Sequence, residues 1–218
     1  TYLIDKVEKI VNFIDYKQLI QSLNNDIGEI KIVNKVFGKK GDSSIRFINK
    51  WLEENNMGNM VNITNCADDV REIVEICKEG NNTLAIYGHG VREPASEIIE
   101  GAQSIEGSGS MIQIKEVLEE IDVNNFILIS CVGGTPNSSN PEISSGTWTN
   151  IFERFNGNIM TCRWSVPTED TINMMEKIYD NLLNGKMDFG EALLDAQKNL
   201  KNSGKNQLSW AGVECWIN

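Results

Sequence analysis

Two residue types capable of acyl-transfer chemistry close two short apolar runs. The first run is Leu84-Ala85-Ile86-Tyr87, which leads into Gly88-His89-Gly90; the second is Phe126-Ile127-Leu128-Ile129, which leads into Ser130-Cys131-Val132-Gly133-Gly134. A thiol is a strong nucleophile as its thiolate, and an imidazole beside it can take the proton and later hand it to the leaving group. His89 is the only histidine of the chain. Glycines beside both residues allow close approach of a substrate to the backbone, and the amides of Gly90 and Cys131 could face a developing oxyanion. A lone histidine or cysteine is more often structural than reactive. What favours chemistry is their occurrence together, each just past a buried strand.

The elements that must position them follow from hydrophobic periodicity. Ile4, Val7, Ile10, Val11 and Ile14 form the stripe of an amphipathic helix. Residues 29–37 alternate as a strand, and Asp42-Ser43-Ser44 caps a helix carrying Ile45, Phe47, Ile48, Trp51 and Leu52. A strand over 60–63 precedes a helix carrying Val70, Ile73, Val74 and Cys77, with Gly80 past its end. The runs at 84–87 and 126–129 read as strands buried on both faces. Between them lies a long polar loop, 91–110, then a helix carrying Ile112, Ile114, Val117, Leu118 and Ile121. A second long polar loop, 133–146, is followed by a helix over 147–155, a strand over 159–164, helices over 168–183 and 188–200, and a strand over 208–216. This alternation predicts a largely parallel sheet covered on both faces, whose sites form beyond the carboxyl ends of the strands.

Composition narrows the partners. The 218 residues, 40% apolar and 23% charged, suffice for one sizeable core, and a single domain over 1–218 is expected. A net charge of −11 disfavours the clustered Lys and Arg that an extended phosphate surface needs, so no direct nucleic-acid contact is expected. No run of eighteen apolar residues spans a bilayer and no signal-peptide pattern opens the chain, so no membrane partner is expected. Thr1 rather than methionine at the start is compatible with a processed piece or a domain excised from something longer. Cys66, Cys77, Cys131, Cys162 and Cys215 make an odd set without a Cys-x-x-Cys pair, so neither a metal site nor a disulfide framework is indicated. A reducing cytoplasm fits that usage, and Asn62-Ile63-Thr64, Asn81-Asn82-Thr83 and Asn137-Ser138-Ser139 read as chance glycosylation patterns. Ser108-Gly109-Ser110 lacks the context of a phosphate loop and reads as a capped helix start; Met174 and Met175 with Ile178 and Leu182 read as a core stripe.

The two His-Gly and Cys segments, in their order and separation, resemble the paired motifs of caspase-like peptidases, the clan of caspases, separases and gingipains, and within it most resemble CHAT domains. Trp164-Ser165-Val166 followed by Thr171, Gly190-Glu191-Ala192-Leu193-Leu194-Asp195-Ala196, and Trp210-Ala211-Gly212 resemble later motifs of the same group. The likeness runs from about residue 60 to the end. It implies an α/β fold, a caspase-like three-layer α/β/α sandwich with a mostly parallel central sheet. It further implies a thiol endopeptidase with His89 as base, Cys131 as nucleophile and an oxyanion hole from the Gly90 and Cys131 amides, acting without metal or organic cofactor. CHAT domains are usually parts of bacterial defence or signalling assemblies, so an activating partner protein or sensor domain is expected beside a protein or peptide substrate. The two long polar loops are where such ordering, or self-cleavage, would occur.

The segment 163–170 is expected to line the pocket for the residue before the scissile bond, with Arg163, Trp164, Ser165, Glu169 and Asp170 as its candidates. Its charges conflict: Glu169 and Asp170 suit a basic side chain, Arg163 an acidic one. The two carboxylates also suit the first turn of a helix, where the macrodipole favours them. The group often carries an acidic residue where this chain has Pro167. Two other readings stand beside the peptidase: a catalytically silent caspase-like interaction domain, and an α/β hydrolase or transferase of another family, which would need an acidic residue orienting His89.

Overall fold

The computed structural model describes residues 12–13, 30–35, 50, 53–54, 61–64, 70–78, 83–88, 90–92, 103–106, 111–129, 155, 157–162, 164 and 166–217. The strands are β1 (Asn12–Phe13), β2 (Ile30–Lys35), β3 (Val61–Thr64), β4 (Thr83–Gly88), β5 (Gly90–Arg92), β6 (Gln103–Glu106), β7 (Met111–Gln113), β8 (Asn125–Ile129), β9 (Asn158–Cys162) and β10 (Val213–Ile217). The helices are α1 (Val70–Cys77), α2 (Ile114–Glu120), α3 (Thr168–Leu183), α4 (Phe189–Asn202) and the single turn α5 (Gln207–Trp210). Seven strands form one sheet in the order β1-β10-β9-β8-β4-β2-β3. From β9 to β3 they are mutually parallel; β10 runs antiparallel to β9 and β1 parallel to β10.

The central strands are apolar in succession because both their faces are covered. Leu84, Ile86, Phe126, Leu128 and Ile159 pack with Ile73 and Cys77 of α1 and Val117 and Leu118 of α2. Phe155 joins this layer, its ring edge-on to Phe126 at 6.3 Å and 66°. The alternate residues Ala85, Ile127, Ile129, Met160 and Cys162 pack on the other face with Met174, Met175, Ile178 and Leu182 of α3 and Leu193 and Ala196 of α4. The result is three layers, helix on sheet on helix.

Polar groups tie the second helical layer together. Asp188 caps α4 in a reciprocal box: its Oδ1 accepts from the Glu191 amide at 2.9 Å, and Glu191 Oε2 accepts from the Asp188 amide at 3.3 Å. Asn181 Nδ2 on α3 donates to Ala192 O and Asp195 Oδ2 on α4, and Gln197 Nε2 on α4 donates to Val213 O on β10 at 2.9 Å. Gly204, at φ +78°, takes the left-handed position that ends the helix. At the amino end of the sheet, Thr83, Asn125 and Asn158 are cross-strand neighbours and buried. Asn158 Nδ2 donates to Asn125 Oδ1 at 2.8 Å, and Asn125 Nδ2 to Thr83 Oγ1 at 3.3 Å.

Several expectations are corrected. The stripe ending at Ile14 does not run through as helix, because Asn12 and Phe13 pair as strand with Trp216 and Ile217; a sheet edge overrides the helical period there. The polar loop over 91–110 contains β5 and β6, which with β7 form a separate antiparallel sheet in the order β5-β6-β7. Ile112 lies in β7, α2 begins only at Ile114 and ends before Ile121, and the Gly/Ser segment therefore precedes a strand. Residues 207–210 are a helical turn rather than the start of the last strand, because the Asn206 side chain accepts from the Ser209 amide at 3.1 Å. Phe155 is a bend rather than the end of a helix, and the rest of 147–154 lies outside the described residues. So do residues 1–11, Gly80, Cys66 and most of 42–52, although Lys50, Glu53 and Glu54 are helical.

Candidate active site

β4 and β8 are adjacent parallel strands, and their carboxyl ends lie at one edge of the sheet. Thr83 pairs with Asn125 and Tyr87 with Ile129. This is a constant offset of 42 residues, the separation of the bonded pair Asn125 and Thr83. His89 and Cys131 follow at the same offset, each two positions beyond the last pair. Both residues, with Ser130, Arg163 and Ser165, lie outside the described residues. Gly90 opens β5, with its backbone in register with Ile105.

The three cysteines among the described residues, Cys77, Cys162 and Cys215, are all buried. Burial pushes the Cys77 thiol up to about 11, a shift that the charge of Lys31 only partly opposes. A buried, protonated thiol is a poor nucleophile. Among the described residues no group of three His, Cys, Asp or Glu side chains is placed to hold a metal ion. No helix among them is long and apolar enough to cross a membrane.

The segment after β9 is fastened to α5 and the start of β10. The Trp164 indole Nε1 donates to Leu208 O at 2.8 Å. A Cβ on Gly212 would overlap Val166 Cγ2 and crowd Leu208 O and Trp164 Nε1 at 3.0 Å, so only glycine lets these segments close on each other. Pro167 precedes α3 at φ −54°, and its carbonyl accepts from the Thr171 amide at 2.9 Å and from Thr171 Oγ1 at 3.1 Å.

The two candidate carboxylates of this segment differ. Glu169 is exposed, whereas Asp170 is 7% exposed. Asp170 Oδ2 accepts from Ser209 Oγ at 2.6 Å, and its Oδ1 pairs with Lys205 Nζ at 2.7 Å. Burial raises the Asp170 carboxyl, but the hydrogen bonds from Lys205 and Ser209 and the charge of Lys205 outweigh it and hold the group below its usual value. Lys205 is raised in return, first by that hydrogen bond and then by the Asp170 charge. Sequence reasoning missed Lys205, Asn206, Leu208 and Ser209. The available signal was Asn206 followed three residues later by Ser209, a cap spacing.

No protein-family model matches the chain, and no curated protein does. Solved structures do. The separase–securin complex of Saccharomyces cerevisiae superposes with a TM-score of 0.58 at 11% identity, over 92% of this chain and 13% of that one. The Arg-specific cysteine proteinase gingipain R gives 0.58 at 10% identity, over 93% of this chain and 50% of that one. A complex of the pro- and mature domains of that proteinase from Porphyromonas gingivalis gives 0.58 at 10% identity, over 93% and 51%. The chain thus spans about half the length of the gingipain structures and a smaller part of separase. With its three layers and mostly parallel sheet, the chain has the caspase-like α/β/α fold of separase and gingipain.

Proposed function

We propose that the chain is a cysteine endopeptidase of the CHAT type, working in a reducing cytoplasm within a bacterial defence or signalling assembly. The observation that carries this reading is the register of β4 and β8, whose offset equals the separation of His89 and Cys131 along the sequence. The fold shared with two cysteine peptidases supports it. His89 takes the thiol proton of Cys131, and the thiolate attacks the peptide carbonyl. The amides of Gly90 and Cys131 hold the resulting oxyanion. Collapse expels the amine, which leaves with the proton from His89, and water then hydrolyses the thioester with His89 as base.

The pocket for the residue before the scissile bond is formed by the segment that includes Arg163, Trp164, Ser165 and Glu169, beside Asp170. A protein partner fits the presence of securin and of a pro-domain in the neighbouring structures, and in this reading it acts as an activator.

The test is intact-mass spectrometry after exposure to peptidyl acyloxymethyl ketones with basic, acidic and apolar end residues. A single adduct on Cys131, absent from Cys131→Ala and His89→Ala and dependent on the end residue, is expected. No selective adduct, even with candidate partner proteins added, would refute peptidase activity and leave a silent interaction domain.

A further inference from the structure

We propose that Asp170 is a positioning residue: clasped between Ser209 and Lys205, its carboxylate holds the segment from Trp164 to Pro167 against α5 and so shapes the substrate pocket without reading the substrate's charge. This rests on the peptidase reading for its functional part and on geometry for the rest. The stretch 164–170 is tied at both ends to consecutive residues of α5. At one end the Trp164 indole donates to Leu208 O; at the other Ser209 Oγ donates to Asp170. Between them Val166 lies against Gly212.

The anchor itself is fixed. Ser209 is 1% exposed, and Asn206 Oδ1 holds its amide at 3.1 Å and lies 3.4 Å from its hydroxyl. Lys205, one residue before that cap, supplies the countercharge. An anion so buried needs both partners, since an unpaired carboxylate away from water is costly. Both oxygens of Asp170 are therefore committed within the chain, and no charge is left to recruit a Lys or Arg side chain. Pocket shape follows from this clasp, because Trp164 and Val166 belong to the segment that it closes.

Two arms test the proposal on the full chain. In the first, the Trp164 indole N–H is assigned in a nitrogen-15 correlation spectrum by Trp164→Phe, and its hydrogen exchange is followed in Asp170→Ala, Ser209→Ala and Lys205→Gln. Exchange is expected to quicken by about tenfold in the first two, the effect of losing roughly one net hydrogen bond, and less in the third. The Trp216 indole, on β10, should not change. Lys205 is partly exposed, so Lys205→Gln keeps the arm readable if a core variant fails to fold. Unchanged Trp164 exchange in folded Asp170→Ala, or in folded Ser209→Ala, overturns the proposal.

In the second arm, Asp170→Asn and wild type are labelled by the three classes of peptidyl ketone. Slowing of all three by a similar factor, with iodoacetamide labelling of Cys131 unchanged, is expected of a positioning residue. Loss confined to the basic class makes Asp170 a recognition carboxylate and overturns the proposal. If wild type takes no peptidyl label, the peptidase reading and the substrate part fall together, and the exchange arm alone decides the clasp.

Discussion

Glu176 on α3 is half-buried, and burial, helped by the charge of Glu54, pushes its carboxyl from 4.5 up to about 7. It lines a groove with Asn173, Lys177 and Asp180 of its own helix, Asn199 of α4, and Ser203 and Lys205 just beyond α4. Lys177 is already paired with Asp180 and Asp195, and Lys205 with Asp170. A raised carboxyl binds its proton more tightly in the folded state than in the unfolded one, so this group's contribution falls as pH climbs from about 4.5 to about 7. Replacement by glutamine should abolish that fall. The Tm of Glu176→Gln is expected to exceed wild type at pH 8 and to approach it near pH 4.5, by about 2–4 °C for each kcal/mol. Asp170 has the opposite sign: its stabilisation is present above 3.8 and disappears as pH drops through its lower folded value. Neither behaviour was legible in the sequence, because Glu176 and Asp170 acquire their surroundings from α4, α5 and residue 54, which are remote along the chain.

Elements with long amphipathic patterns were legible. α3 spans the expected residues, and α4 begins one residue past the expected start, with Asp188 serving as its cap. Asp188→Ala removes one half of the capping box and should lower stability by about 1 kcal/mol in urea unfolding. The short elements were hidden. β5, β6 and β7 have three or four residues each, and their pairing, not their composition, defines them. α5 was hidden for the same reason, since a single turn carries too little periodicity to be distinguished from a strand. The contact of Trp164 and Val166 with Gly212 explains why two motifs distant in sequence occur together. Gly212→Ala would push Val166 and Trp164 outward, costing about 1–3 kcal/mol, as overpacking commonly does. Calorimetry would measure the loss, and the Trp164 indole resonance should shift with it.

For the whole molecule, the parallel sheet with two covered faces followed from apolar runs separated by helices. Strand order did not, since β2 lies between β3 and β4 and β10 reverses direction, choices made by packing between distant segments. β4 and β8 have strands on both sides and helices on both faces, whereas β3 closes one edge. Amides of β4 and β8 should therefore exchange with deuterium only through global opening, and those of β3 sooner. Ile127→Ala, which opens a cavity at a residue with no exposed surface, should cost about 2–5 kcal/mol in denaturant titration. The candidate pair, two residue types that each follow a strand, was legible; the ties between the 164–170 segment and α5 were not. The polar line Thr83-Asn125-Asn158 adds a further consequence. Apolar residues on β4 and β8 would tolerate a slip of two positions, because side-chain parity repeats every second residue. Such a slip would carry the end of one strand about 6.6 Å past the other. The buried amides forbid it, since their partners exist in one alignment only. They work as an index mark at one end of the strands, setting the alignment of β4 and β8 at the opposite end.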